Sequence, residues 1–135
     1  MAKLEIEGMD DLISDFMKIA DLPEAVQMEM LHSEADIVVK TQKEQIDSMG
    51  LRDTGQLRES IARKRGAGVS LDIFPQGTRD DGVRNAEVGF IHEFGAPGRR
   101  IKASGWMEKA NEACADEAAM AAEEVYNKFL DNNNL

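Results

Sequence analysis

Cys114 is the single cysteine in 135 residues, so neither an intramolecular disulfide nor a multi-cysteine metal site can form. Its setting, Glu112-Ala113-Cys114-Ala115-Asp116, suits a small packed residue better than a nucleophile. Histidine is almost as scarce. His32 falls in the middle of a long helical pattern with no His or Cys at ligand spacing, which argues against a metal site. His92 has Glu93 beside it, but adjacent side chains on a strand point to opposite faces, so the pair makes a poor acid-base couple. Long apolar runs are missing too: nothing approaches the roughly 18 to 20 residues of a spanning helix. The glycines of Gly66-Ala67-Gly68 and Gly95-Ala96-Pro97-Gly98 lack the strand-to-helix pattern and the lysine of a phosphate cradle, and read as turn glycines. These gaps predict a chain without catalytic residues, metal or cofactor.

What is present describes one globular domain. The length suffices for a single core, and 42% hydrophobic with 31% charged residues excludes both a disordered polyelectrolyte and a membrane protein. The start, Met1-Ala2-Lys3-Leu4-Glu5-Ile6-Glu7, alternates charged and apolar residues where a secretory signal needs an unbroken apolar stretch, which predicts a cytoplasmic protein. The net charge is −10, against unaided nucleic-acid binding. The charge is uneven, however: residues 50–104 hold ten Lys or Arg against seven Asp or Glu, and the flanking segments hold six against nineteen. A mildly basic middle between acidic arms permits head-to-tail contacts between copies.

Local patterns predict an α+β fold, with a small antiparallel sheet packed against a long N-terminal helix and a C-terminal Ala-rich helix. Leu4 and Ile6 mark a short strand, and Met9, Leu12, Ile13, Phe16 and Ile19 a helix that stops before Pro23. A second helix is expected over 23–48, a span with no further Pro or Gly. Met28, Leu31, Ala35, Val38, Gln42 and Gln45 give it a face that turns polar, so its last turns are expected to project from the core. After Gly50, Asp53-Thr54-Gly55 reads as a turn into Gln56-Leu57-Arg58-Glu59-Ser60-Ile61, a helical turn running into a strand. Alternation at Val69, Leu71 and Ile73, and again at Ala86, Val88 and Phe90, predicts two strands, the second ending in Glu93-Phe94-Gly95. Loops are expected at 66–68 and, exposed and mobile, at 77–85. The final helix is expected over 105–129, with a frayed tail at about 131–135 and the domain spanning 1–135.

Taken in order, these features are specific. The string Thr54-Gly55-x-Leu57-Arg58-x-Ser60-Ile61, the string Glu93-Phe94-Gly95, a basic loop, Trp106-Met107 and a last Ala-rich helix resemble the head-tail joining, or tail-completion, family of neck proteins of long-tailed bacteriophages and prophages. The likeness covers nearly the whole chain. Two departures lie in loops: Leu51-Arg52-Asp53 stands where the family commonly has a proline, and Ala103-Ser104-Gly105-Trp106-Met107 replaces a proline-aromatic entry to the last helix.

The resemblance implies a structural virion protein that completes the head-proximal end of the tail and joins it to the head. It further implies a homo-oligomeric ring, sixfold by the symmetry of long tails, beside head-closure and tail-terminator or tail-tube proteins. DNA would pass through the channel without specific binding, and no membrane is involved. Such a protein resides in the host cytoplasm during assembly and then in the virion. On this reading Arg58, Glu93, Arg99, Arg100 and Lys102 are candidate interface residues, while Thr54, Gly55, Leu57, Ile61, Phe94, Gly95 and Trp106 carry the structural motif; Phe90 and Phe94 are expected to hold the fold. The alternative is a small nucleic-acid-binding or regulatory protein using Arg63-Lys64-Arg65 and the Arg99, Arg100 and Lys102 cluster. A hydrolase centred on His92 ranks last.

Overall fold

The computed structural model describes residues 22–51 and 55–133. The expected strand at Leu4 and Ile6, the helix from Met9 to Ile19, and Thr54 lie outside the described residues.

Pro23, whose missing N–H is not needed in a first turn, opens α1 (Glu24–Ser48), and its carbonyl accepts from the Val26 and Gln27 amides. The helix closes where Gly50 takes φ +69°. The Gly50 amide bonds the Asp47 carbonyl and the Leu51 amide the Ile46 carbonyl, a Schellman ending that uses glycine's freedom at positive φ. Its buried residues are Met30, Glu34, Ala35, Val38, Gln42 and Ile46. The last turns therefore do not project, contrary to the sequence pattern: Ile46 is wholly buried, and Gln42 donates from Nε2 to Asn111 Oδ1 at 3.0 Å.

The partner of α1 is α4 (Trp106–Asn132), and theirs is the most extensive contact between elements. Ala110, Cys114, Ala118, Ala122 and Tyr126 recur every fourth residue and are all buried, so four small side chains form a stripe against which α1 lies. The helices run antiparallel, as Gln42 meets Asn111 while Ile37 lies beside Met120 and Ala121.

Between the two long helices come α2 (Gln56–Ser60), β1 (Ile61–Arg65) and β2 (Leu71–Pro75). The strands pair antiparallel, Ile61 opposite Pro75 and Arg65 opposite Leu71. Ile61, Ile73 and Pro75 are buried. The expected helix-to-strand passage at Gln56 to Ile61 and the strand around Leu71 and Ile73 are thus present.

The second expected strand is not. Ala86, Val88 and Phe90 belong to a helix, α3 (Asn85–Phe94), so Glu93-Phe94-Gly95 ends a helix rather than a strand. The cause is tertiary: Asn85 and Gly89, one turn apart, face inward, and the Gly89 carbonyl accepts from Trp106 Nε1 at 3.0 Å. A Cβ on Gly89 would lie 2.9 Å from the Pro75 ring and 3.3 Å from the Trp106 indole, so α3 reaches this depth because the residue is glycine. A continuous core cluster runs from Leu22 through Val38, Leu57, Ile73 and Trp106 to Tyr126.

Candidate interaction surface

The string around Gly55 is largely structural. Gly55 enters α2 at φ +81°, Leu57 and Ile61 are core, and Ser60 Oγ donates to the Leu57 carbonyl at 2.6 Å. Arg58 stays at the surface, donating to Asp47 Oδ2 at 2.9 Å and to Glu59 Oε1 at 2.6 Å. The Asp47 hydrogen bond, then that of Glu59, raises its already high pKa.

The second string forms a lock between α3 and α4. Gly105, at the start of α4, has no side chain to cap the helix; Glu93 Oε2 does so instead, accepting from the Met107 amide at 3.0 Å and the Glu108 amide at 3.2 Å. An anion there also meets the positive end of the helix dipole. In return, Ser104 donates to the His92 carbonyl through both its amide and its hydroxyl, at 2.8 and 2.7 Å, and the Gly105 amide bonds the Glu93 carbonyl at 3.2 Å. Glu93, placed by sequence among the interface candidates, is thus half-buried and engaged within its own chain. His92 is held by its backbone in the same lock. The two are neighbours on a helix, with Glu93 turned to the α4 amides.

Gly95 sits at φ +81° and ψ 171°, where its missing Cβ would lie 2.7 Å from the Ala103 nitrogen and 2.9 Å from the Ile101 oxygen. Beyond it, Ala96 and Ile101 exchange both backbone hydrogen bonds, at 2.9 and 3.1 Å, and close a loop around the short 3-10 turn Pro97–Arg99. The loop presents Arg99, Arg100 and Lys102, all exposed. Arg100 holds φ +57°, a left-handed conformation that costs a non-glycine residue about 1–2 kcal/mol. A large cation occupies a place where glycine would be easier.

Beside the loop the structure corrects a sequence expectation. Phe90 and Phe94 do not hold the fold: they are 62% and 65% exposed, one helical turn apart, with ring centroids 4.6 Å from each other. The inward positions of α3 belong to Asn85 and Gly89, which leaves the phenylalanines on the outer face. Trp106, by contrast, is the core anchor expected.

A second surface lies toward the other end of α4 and was not singled out from the sequence. Met120 is 68% exposed and lies with Ile37 and Ala121 in an open groove of about 510 Å³. Glu117, Glu123, Glu124 and Asp131 also line it, and Lys128, 3.5 Å from Glu124, offsets one of these charges. The signal was present: Met120 stands midway between Ala118 and Ala122 of the buried stripe, hence on the opposite side of the helix.

The basic cluster of β1 is occupied. Arg63 donates to Asp36 and to the His32 carbonyl, and Arg65 to Glu24 Oε1 at 2.7 Å, so two of its three cations tie the strand to α1. Among the described residues no group of three His, Cys, Asp or Glu could hold a metal ion, and no helix is long and apolar enough to cross a membrane. No family model, curated protein or solved structure matches the chain.

Proposed function

We propose that this chain is a structural protein of the bacteriophage neck, which completes the head-proximal end of the tail and joins it to the head through protein-protein contacts. The observation that carries the reading is the exposed Phe90–Phe94 pair beside the braced basic loop. Two adjacent aromatic rings left in water, next to an arginine kept in a costly backbone conformation, suit a surface that a partner covers. The two strings that give the resemblance build this feature. Gly95 and Glu93 fix the loop and α3 to α4, and Leu57 closes on Gly89 from below.

Assembly as a ring of identical copies, sixfold in keeping with tail symmetry, follows from the same reading, with head-closure and tail-terminator or tail-tube proteins as neighbours. The acidic balance of the chain lets DNA move past without adhering. The protein would act in the host cytoplasm and remain in the virion neck. The ion pairs of Arg63 and Arg65 weigh against the nucleic-acid alternative, since a phosphate would have to displace Asp36 and Glu24.

Deleting the gene from the phage or prophage that carries it tests the proposal. Filled heads and free tails that fail to join are expected. Normal infectious particles, or a gene remote from portal, capsid and tail-tube genes, count against it.

A further inference from the structure

We infer that the Phe90–Phe94 pair and its basic loop dock into the acidic groove of a second copy of this chain, a head-to-tail contact between two different surfaces. The inference rests on the reading of assembly by repeated copies and names the two faces that it uses. Complementarity of charge selects the occupant. The projecting side is a pair of exposed phenylalanines followed in the chain by the exposed cations Arg99, Arg100 and Lys102. The receiving side sets Ile37, Met120 and Ala121 among the carboxylates of Glu117, Glu123, Glu124 and Asp131, with Lys128 as its one cation among the described residues. Aromatic rings entering a partly apolar groove, with cations meeting carboxylates at its rim, reproduce the core-and-rim organisation of protein interfaces.

One chain cannot satisfy itself in this way. The projection is fixed at the start of α4 by the Trp106 bond to Gly89 and by the Glu93 cap. The groove centres on Met120, fourteen residues later and so roughly 20 Å along the helix at about 1.5 Å per residue. The contact is therefore between molecules. It uses unlike surfaces, so each copy keeps one free projection and one free groove, and the series continues until it closes into a ring.

The test uses full-length protein and two variants confined to exposed side chains. One blunts the projection (Phe94→Ala, Arg99→Glu, Arg100→Glu), and the other reverses the groove (Glu123→Lys, Glu124→Lys). Sedimentation of the wild type over a concentration series should show association that weakens with added salt. Each variant alone should associate at least about a hundredfold more weakly, through like-charge contact. Mixed in equal amounts, they should associate again, because the intact projection of one meets the intact groove of the other and the two reversed faces also carry opposite charges.

Self-association of the groove variant would overturn the inference in favour of projection against projection. A mixture or a wild type that stays monomeric overturns it as well, including where another part of the same chain covers the aromatic pair. A monomeric wild type that still joins heads to tails would sink this interface and leave the neck function standing. An associating chain whose deletion yields infectious phage would do the reverse.

Discussion

Gly95→Ala is the sharpest test of the lock beneath the candidate surface. At φ +81° and ψ 171° the backbone occupies a region almost reserved for glycine, and holding an alanine there costs about 1–3 kcal/mol. The new Cβ would also lie 2.7 Å from the Ala103 nitrogen and 2.9 Å from the Ile101 oxygen, both backbone atoms that cannot rotate away. Overpacking of this kind adds about 1–3 kcal/mol. Reduced freedom of the unfolded chain returns up to about 1 kcal/mol. The net loss is about 3 kcal/mol, a large share of the roughly 5–15 kcal/mol that holds a domain together, and lowers the melting temperature by about 10 °C. Gly98→Ala is the matched control in the same loop, since a Cβ there meets nothing within 4 Å, and it should change stability by no more than about 0.5 kcal/mol. Urea unfolding followed by far-UV circular dichroism measures both. Equal stability of the two variants would refute the account of the loop.

Ile46→Ala should cost about 2–5 kcal/mol by the same unfolding assay, because the residue is wholly buried, whereas Gln45→Ala should cost no more than about 0.5 kcal/mol. Glu93→Ala removes the cap of α4 and should cost about 1–2 kcal/mol, with faster amide exchange at Met107 and Glu108. Burial pushes the Cys114 thiol above its ordinary value of 9.0, against a smaller opposing effect of the Thr41 hydrogen bond. The unfolded chain then ionises first as pH rises, so this contribution is constant below the ordinary thiol range and is lost on passing up through it. The urea midpoint should fall between about pH 8 and about pH 10, less steeply in Cys114→Ala; identical slopes would contradict this.

The elements legible in the sequence are those fixed by local chemistry. A proline at the start, a glycine at the end and an uninterrupted interior define α1, and the Ala-rich stretch defines α4. Leu57 and Ile61 flank a helix-to-strand passage whose apolar spacing suits both states, and their burial was readable.

The segment from Ala86 to Phe90 was misread because alternation over five residues satisfies a strand and a short helix alike. What decides is Gly89 against Pro75 and Trp106, contacts between residues far apart in sequence. Once that stretch is helical, Phe90 and Phe94 turn outward, and two residues that hydrophobicity alone would bury become the centre of the candidate surface. The groove escaped for a related reason: Ile37 and Met120 belong to different helices and line one surface only once α1 lies antiparallel on α4. At Ile46 the two glutamines before it, Gln42 and Gln45, suggested a solvated end, while Gln42 in fact pairs with Asn111 inside the helix pair.

The central claim, a joint between head and tail, is tested most directly by restoring that joint in the test tube. A lysate of the deletion phage supplies filled heads and unattached tails, and purified protein is added before infectious particles are counted. Wild-type protein should restore infectivity, and the chain with Arg99 and Arg100 both changed to Glu, equally stable by urea unfolding, should not. A lysate that the wild-type protein leaves unjoined, or one already infectious without it, would contradict the account.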